Sequence, residues 1–372
     1  SEKLYGDNIA FNFRSTPQSE SESKSYKQFV RDINAFGSAL IEMGLRDSHI
    51  AIIGENRYEW VVSYFTATNG AGLAVPLDRA MPANELEPIL DRGKIDVLIY
   101  SDSFHATVKD ISKRNTRLKA CICMNPSSDT ESDLTSTDLT STDLTSSPFY
   151  SFEELVRHGR VLLDSGYSSY KDISIDPDAF RILLFTSGTS SASKAVMLSH
   201  SNICADIKGL AGVVRFNPGE SVLSILPLHH TFENTTGMIF PLYLGMTIAI
   251  SDGLKYISKN LEEYKPACLI GVPLLFEKFS EKAVDEIKKK GLTKAVKIMM
   301  AAANAVGVTG LNIRRLLFKK ILASFGGKLR VIVAGGAPME PDTIKWYENV
   351  GIKVYQGYGL TETSPVVSGG ND

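Results

Sequence analysis

The chain has 372 residues, of which 43% are hydrophobic and 22% are charged, and its formal net charge is −2. A chain of this length can bury a large core and is expected to fold into two or more globular units. The near-zero net charge gives no overall attraction for nucleic acid, so no nucleic-acid partner is predicted. The composition is that of a soluble enzyme.

Cysteine spacing and apolar runs bear on the compartment. The four cysteines lack the spacing of a zinc site and are too sparse for a disulfide scaffold, so we predict free thiols. No signal peptide is visible, although a trimmed one would leave no trace. The uncharged run 235–251 is interrupted by Pro241 and Gly245 and is shorter than the ~20 residues that span a bilayer. These features predict a cytoplasmic location.

Helices and strands alternate along the first hundred residues. Apolar residues at helical spacing between Phe29 and Met43 predict a helix that ends at Gly44. A β-branched run at 49–53 predicts a strand, and Asn56 is the predicted N-cap of the next helix. Two further strands, 73–75 and 97–100, are predicted around a helix that starts near residue 83.

The same alternation returns in the second half of the chain. The predicted elements there are strands at 181–185, 222–225, 247–250 and 269–270, and a helix at 199–210. Strands that alternate with helices are typical of a parallel sheet covered by helices, so the predicted fold class is α/β.

The segment 125–148 breaks this rhythm. It contains three tandem pentapeptides that start at Asp133, Asp138 and Asp143, each with a single leucine. Such a segment buries too little apolar surface to offset its ordering entropy, so we predict a solvated, mobile insertion without a specific binding role.

Residues 278–330 are predicted to be mainly helical and strongly basic. They contain thirteen Lys or Arg residues and three acids. Such a stretch could rest on an anionic membrane surface or meet the phosphates of coenzyme A. A solvated helical face whose apolar side packs on the core is the simpler interpretation, and we favour it.

Residues 184–194 form the most informative motif. An apolar strand runs into a loop of hydroxyl side chains and one glycine, and the loop ends at Lys194. Backbone N–H groups, hydroxyls and an ammonium that converge in this way suit a phosphate group. The P-loop pattern fails, because it would need glycine at Ser193 and Ser or Thr at Ala195.

Two later segments, 331–338 and 355–362, each accompany a short apolar run. Together with residues 184–194 they resemble the adenylate-forming superfamily, which carries T-S-G-T-T-G-x-P-K-G, then G-G-A-P, then Y-G-x-T-E in this order. The segments 25–29, 54–60 and 75–78 also look like long-chain fatty-acid CoA ligases.

The resemblance implies a fold of two packed α/β subdomains with mainly parallel sheets. The expected subdomains are 60–215 and 1–59 plus 216–372. It also implies ATP, Mg²⁺ and coenzyme A as the small molecules used, in a reaction that converts a carboxylic acid to acyl-AMP and then to a thioester.

The resemblance further assigns roles to individual residues. The β- and γ-phosphates would be held by Thr186, Ser187, Gly188, Thr189, Ser190, Ser191 and Lys194. Adenine would lie on the segment Gly335, Gly336, Ala337 and Pro338, and the second motif would add Gln356, Gly357, Tyr358 and Gly359, with Tyr358 over the base. Thr361 would bind the α-phosphate and Glu362 the Mg²⁺. His230, with His229 beside it, would lie near the reacting carboxylate.

The sequence departs from the family pattern at Ser191, Ser193 and Ala195. Serine adopts positive φ only at a cost, so the loop is expected to be stiffer or differently shaped. The family also continues beyond the point that corresponds to residue 372, into a mobile domain that carries a lysine for adenylation. We therefore expect this chain to be an N-terminal domain fragment that binds ATP weakly and is weak or inactive alone.

Two alternatives remain open. An amino or aryl acid could replace the fatty acid; amino-acid adenylation pockets use an aspartate, and the only acid between residues 228 and 237 is Glu233. The chain could also be a non-catalytic nucleotide- or acyl-binding protein.

Overall fold

The computed structural model describes residues 1–135, 149–186, 194–289, 291–305 and 311–370. Fifteen strands in these ranges form two mainly parallel sheets with helices packed against them. The predicted α/β class with mainly parallel sheets is therefore confirmed.

The first sheet has eight strands in the order β15-β14-β13-β12-β10-β11-β1-β2, and only its two outermost pairs, β14–β15 and β1–β2, are antiparallel. Its strands are β1 Ile9–Phe13, β2 Glu22–Ser25, β10 Ser221–Ser224, β11 Thr247–Ile250, β12 Cys268–Gly271, β13 Val331–Gly335, β14 Lys353–Gly359 and β15 Val366–Gly370.

The second sheet has seven strands in the order β7-β6-β5-β3-β4-β8-β9, and only the pair β8–β9 is antiparallel. Its strands are β3 Ser48–Ile53, β4 Gly72–Leu77, β5 Val97–Tyr100, β6 Ala120–Cys123, β7 Phe149–Ser151, β8 Phe180–Thr186 and β9 Lys194–Ser199.

The helices of the first half are α1 Glu2–Tyr5, α2 Tyr26–Glu42, α3 Tyr58–Thr66, α4 Ala83–Arg92, α5 His105–Ser112, α6 Ser128–Glu131 and α7 Phe152–Asp164. Those of the second half are α8 His200–Val213, α9 Phe240–Tyr243, α10 Ile257–Tyr264, α11 Pro273–Lys289, α12 Thr293–Ala305, α13 Leu311–Leu317, α14 Lys319–Ala323 and α15 Pro341–Asn349. A π-helix spans Phe232–Ile239 and a 3-10 turn spans Thr361–Thr363.

One hydrophobic core joins the two sheets. It contains Ile50 and Ile182 from the second sheet together with Val222 and Ile248 from the first. Helix α2 packs against α3 and α7 on this core, and Ser25 caps it through a reciprocal pair of hydrogen bonds with Gln28. The two sheets are therefore held against each other by shared apolar packing.

The predicted boundary at residues 59/60 is wrong for one strand. It would group β3 with the first sheet, whereas β3 pairs with β4 and β5 in the second. The chain changes sheets before residue 48. The apolar content of a strand does not reveal which sheet the strand joins, so the sequence could not place this boundary. The division into two subdomains itself remains a prediction.

Asn56 is not the N-cap of the following helix. Arg57 occupies that position, and no side chain forms a cap there. A polar residue before an apolar run correctly predicted the helix. It did not predict the role of Asn56, whose hydrogen-bond partners lie far away in the sequence.

The segment predicted as a mobile insertion is described only as far as residue 135, and its mobility stays a prediction. Its described part contains α6, and the Asp133 carboxylate accepts a hydrogen bond from Lys109 Nζ at 2.6 Å. Thr130 in α6 is buried. The remaining repeats, 136–148, lie outside the described residues.

The basic helices α11–α14 turn apolar residues such as Phe276, Phe318 and Leu322 into the core, as the favoured interpretation required. Ile298 and Leu316 nevertheless remain 67% and 74% exposed. In the described ranges, no helix combines the length and apolar character needed to cross a bilayer.

Candidate functional site

The glycine segment after β13 depends on two glycines for different reasons. A Cβ atom on Gly335 would lie 2.7 Å from Cζ of the Phe232 ring, so no larger residue fits there without moving the ring. Gly336 has a φ of +84°, a region that side chains disfavour. Ala337 and Pro338 are exposed and lead towards α15. The segment forms the expected bend without large side chains.

The motif at 355–362 begins in the last part of β14, which lies beside β13. Gln356 Oε1 accepts a hydrogen bond from the Met339 N–H at 3.2 Å, which ties the end of β14 to the chain that follows Pro338. Tyr358 is 65% exposed. The glycine segment and the Tyr358 motif therefore lie side by side at the carboxyl edge of the first sheet, where ligands bind in open α/β folds.

The turn that carries Thr361 and Glu362 is fixed by Thr363. Its Oγ1 accepts the Leu360 N–H at 3.0 Å and lies 2.8 Å from the carbonyl oxygens of both Leu360 and Pro365. This hydroxyl holds both sides of the turn together, so Thr361 and Glu362 project from a constrained backbone.

The ends of the predicted phosphate loop are close together. Thr186 and Lys194 pair across the β8–β9 hairpin, and β9 contacts the Thr361–Thr363 turn. Thr186 is half-buried, and Lys194 is exposed. The loop residues between them, Ser187, Gly188, Thr189, Ser190 and Ser191, lie outside the described residues.

The histidine segment between β10 and the π-helix is held by Asn56. Asn56 Nδ2 donates to the Leu226 carbonyl at 2.6 Å, and Asn56 Oδ1 accepts the Leu228 N–H at 3.0 Å. The two histidines that follow are adjacent, with ring centroids 4.1 Å apart.

Burial keeps both imidazoles uncharged. It lowers the pKa of His229 to about 4, helped by the neighbouring His230 and partly opposed by Asp78, whose Oδ1 lies 3.6 Å from His229 Nε2. Burial also lowers the pKa of His230, again opposed by Asp78. At neutral pH the segment therefore offers two neutral rings rather than a cation.

Glu233, in the π-helix, is completely buried. Its Oε1 accepts a hydrogen bond from Ser224 Oγ at 2.5 Å, and burial raises its pKa to about 8. Gly237 leaves room for it, because a Cβ there would lie 2.6 Å from Glu233 Oε2. The carboxyl group thus faces β10, and it lines none of the cavities described next.

Three cavities lie in a row across this region. The histidine cavity, of about 370 Å³, is lined by Thr186, His229, His230 and Thr361 among others. The glycine cavity, also of about 370 Å³, is lined by residues that include Gly335, Gly336, Gly357, Tyr358 and Gly359, and shares His230, Thr231 and Thr361 with the first.

The third cavity is the largest, about 680 Å³, and we call it the valine cavity after Val213, Val214, Val333, Val366 and Val367 in its walls. It shares Phe232, Gly357 and Val366 with the glycine cavity. Since neighbouring cavities share their walls, a ligand in one would lie directly beside a ligand in the next.

Most of the described residues predicted for the site face these cavities. The histidine or glycine cavities are lined by Thr186, His230, Thr361 and every predicted glycine other than Gly188. The valine cavity is lined by Gln356 and Glu362. Lys194, Ala337 and Pro338 line none of the three. The motifs therefore converge, but Glu362 points to a different cavity from Thr186.

The donor set suits a magnesium ion only together with a phosphate ligand. No three His, Cys, Asp or Glu side chains of the described ranges form a group that could hold a metal. Mg²⁺ is commonly bound by one or two carboxylates plus substrate phosphates, and the exposed Glu362 could supply that carboxylate.

Sequence reasoning missed three residues around the site. They are Asn56, Thr363 and Asp206. Asp206 lies on α8, lines the valine cavity and accepts the Val366 N–H on Oδ2 at 3.3 Å. Burial raises its pKa to about 6. Helical spacing places Asp206 on the same face as Asn202 and Leu210, but spacing does not reveal that this face borders a cavity.

Comparisons with known proteins agree on the family. The model of the AMP-binding enzyme family matches residues 2–372. Long-chain-fatty-acid–CoA ligase 5 from Rattus norvegicus is 29% identical over 357 residues, which cover 91% of this chain and 50% of that protein. Long-chain-fatty-acid–CoA ligase FadD15 from Mycobacterium bovis is 28% identical, over 90% of this chain and 55% of that protein. The chain thus spans about half the length of these relatives.

A solved structure supports the fold. The adenylation domain of a carboxylate reductase from Mycobacterium chelonae superposes with a TM-score of 0.76 at 18% identity, covering 99% of this chain and 57% of that one.

Proposed function

Because the chain belongs to the AMP-binding enzyme family, we propose that it binds ATP and a long-chain fatty acid for an AMP-forming acid–thiol ligase. In this reaction the carboxylate attacks the α-phosphorus and pyrophosphate leaves. The thiol of coenzyme A then attacks the acyl carbon of the acyl-AMP, and AMP leaves. The names of the two relatives support the fatty-acid substrate. The activity, substrates and partners of the whole protein belong to this proposal.

The row of three cavities with shared walls is the observation that carries the proposal. A reaction between a triphosphate and a carboxylate requires both to lie in line beside each other. The glycine cavity suits a flat purine, since the exposed Gly336 has no side chain to block it and the exposed Tyr358 also lines it. The valine cavity, which joins it, is the largest of the three at about 680 Å³, and the five valines in its walls offer apolar surface to an acyl chain.

The phosphates would extend from the glycine cavity towards the β8–β9 hairpin. Thr361 lines both the glycine and the histidine cavities, so its hydroxyl can reach an α-phosphate between them. Thr186 and Lys194 bracket the hydroxyl loop proposed for the β- and γ-phosphates. Glu362 lines the valine cavity and not the histidine cavity, so it would hold the magnesium ion at the α-phosphate end of the triphosphate, next to Thr361, where the ion neutralises phosphate charge when bound.

The neutral histidines suit the chemistry of the carboxylate. A charged imidazolium next to the acid would pair with its carboxylate and reduce its nucleophilicity. The lowered pKa of His230 leaves a neutral ring, which can orient the carboxylate by a hydrogen bond without that ion pair. His230 lines both the histidine and the glycine cavities, beside the position proposed for the α-phosphate at Thr361. A carboxylate whose chain lies in the valine cavity would reach this position past Phe232, which lines both the glycine and the valine cavities.

The buried position of Glu233 removes it as the acid of an amino-acid pocket. Its carboxyl group is bonded to Ser224 and lines none of the three cavities, so it offers no anion to a substrate ammonium group. An amino or aryl acid and non-catalytic binding remain the alternatives. Peripheral membrane contact through α11–α14 and a cytoplasmic location remain predictions.

ATP–pyrophosphate exchange tests the proposal. The longest native polypeptide that contains this chain is assayed with carboxylic acids from acetate to long fatty acids, and with amino and aryl acids. We expect exchange that peaks with a long fatty acid and falls at least about a hundredfold in Glu362→Gln. Glu262→Gln, an exposed change on α10, serves as the control. A peak with an amino acid, or no exchange with any acid, would reject the fatty-acid ligase.

A further inference from the structure

We propose that the valine cavity selects a fatty acid whose chain carries a hydroxyl group, and that this hydroxyl donates a hydrogen bond to Asp206. The inference rests on the proposed function, because it assigns the acyl chain to this cavity. It goes further by naming the chemical class of the chain and the residue that recognises it.

Asp206 is one of two acids among the described residues of the cavity wall; the other is Glu362, and Asn202 lies one turn before Asp206 on α8. Leu210, Val213 and Val214 continue the same wall from α8, and Val333 and Val367 face them from the first sheet. Among the described residues that line the cavity there is no Lys, Arg or His, so none of them offsets the charge of the Asp206 carboxyl group when water leaves.

The hydrogen bond from the Val366 N–H leaves the Asp206 carboxylate able to accept further hydrogen bonds. The Val366 N–H occupies Oδ2 at 3.3 Å, which is at the long end of a hydrogen bond. A carboxylate has about four lone-pair sites on two oxygens, so one long bond does not satisfy it. The side chain is half-buried before a ligand enters, and burial already raises its pKa.

A bare methylene chain would remove the remaining water from Asp206 without replacing its hydrogen bonds. A site whose buried polar groups are left unpaired rejects a substrate that lacks the matching donor. A hydroxyl group on the chain supplies that donor. It also fits better than an ammonium group, because a hydroxyl bonds to the carboxyl group whether or not the carboxyl is ionised.

Other lining residues are compatible with a hydroxyl. Thr236, Ser364 and Ser368 contribute hydroxyl-bearing side chains to the same cavity. They could accept or donate around the substrate hydroxyl, so Asp206 would not be its only polar neighbour. The chain position of the substrate hydroxyl is left to the experiment.

Two measurements with the longest native polypeptide test the inference. Binding of hexadecanoic acid and of positional isomers of hydroxyhexadecanoic acid is measured by calorimetry, and the same acids are compared in ATP–pyrophosphate exchange. We expect at least one hydroxy isomer to exceed the unsubstituted acid by about tenfold in both affinity and kcat/KM. Asp206→Leu should abolish this preference and bind the unsubstituted acid at least as well as the wild type does.

Further variants separate recognition from misfolding. Asp206→Asn keeps an acceptor for the Val366 N–H and for the hydroxyl, so it should retain part of the preference. Glu262→Leu removes an exposed acid from α10 and should retain all of it. Thermal unfolding of each variant checks the fold.

The outcomes distinguish the two proposals. Exchange that favours the unsubstituted acid over every hydroxy isomer overturns the inference and leaves the ligase function in place. A hydroxyl preference in binding that Asp206→Leu abolishes, without any exchange, supports the inference and rejects the ligase function. A preference that survives in Asp206→Leu overturns the role of Asp206.

Discussion

Asn56 and Leu228 are 172 positions apart in sequence, and the Leu228 N–H donates to Asn56 Oδ1 at 3.0 Å. The Asn56 side chain also donates from Nδ2 to the Leu226 carbonyl. One side chain, just after β3 of the second sheet, therefore fixes the segment that carries both histidines. This contact ties the loop after β3 to the histidine segment, whose His230 lines both the histidine and the glycine cavities.

Asn56→Ala should therefore lower both stability and activity. It leaves a backbone donor and a backbone acceptor of the histidine segment without partners, which we expect to reduce the free energy of unfolding by about 1–3 kcal/mol. The freed segment should also lower kcat/KM in the exchange assay. Asn12→Ala, which removes one exposed hydrogen bond to Ser23, is the matched control. Urea unfolding of the two variants makes the comparison, and equal losses would contradict the role of Asn56.

Gly335→Ala should impair nucleotide binding. The new Cβ would lie 2.7 Å from Phe232 Cζ, so the ring must move, and Phe232 lines both the glycine and the valine cavities. We expect ATP affinity or kcat/KM to fall by about ten- to a hundredfold. Gly212→Ala, on α8 with no atom within 4 Å of the added Cβ, should be neutral.

A double variant tests the same contact. Adding Phe232→Leu to Gly335→Ala should recover part of the loss, because the smaller side chain relieves the overlap. Fully additive effects of the two changes would show that the overlap is not the cause.

Glu233 should make stability fall as pH rises. Its pKa is raised from 4.5 to about 8 in the folded chain, so the folded state holds a proton that the unfolded state releases. The stability contribution is complete below about pH 4.5 and is lost as pH rises through about 8. The free energy of unfolding of Glu233→Gln should therefore increase relative to that of the wild type between about pH 5 and pH 8.

Urea unfolding at both pH values, with Glu262→Gln as an exposed control, measures this difference. A constant offset between wild type and Glu233→Gln across the pH range would mean that Glu233 is ionised in the fold. Ser224→Ala should also change the pH dependence, because it removes the hydroxyl bonded to Oε1.

The His229 pKa should rise when His230 is replaced. Burial is the main cause of its depression to about 4, and His230 is the second. His230→Ala removes that neighbour and admits water, so both changes act in the same direction. NMR titration of labelled histidine in the wild type and variant checks this, and an unchanged His229 pKa would rule out coupling between the rings.

Local patterns predicted the elements better than their partners. The helix from Phe29 to Met43 and the strand at 247–250 follow from residue spacing and β-branched content, and the structure contains both. The bend at Gly336 follows from paired glycines after an apolar run. Each of these features depends on neighbours within a few residues.

Features that depend on distant partners could not be read in the same way. The amide of Asn56 suits a helix cap as well as a long-range hydrogen bond, and only the packing of the two sheets decides between them. Asp206 is an ordinary polar helix residue until β15 and the valine cavity are placed beside it. The sheet to which β3 belongs is likewise set by packing.

Isotope transfer tests the central claim most directly. A long-chain fatty acid with both carboxylate oxygens replaced by ¹⁸O is incubated with ATP, Mg²⁺, coenzyme A and the longest native polypeptide that contains this chain. If the carboxylate attacks the α-phosphorus and the thiol then breaks the acyl–oxygen bond, AMP must carry one ¹⁸O atom and the thioester the other. Unlabelled AMP, or label in inorganic phosphate instead, would contradict the adenylation that the three adjoining cavities are proposed to support.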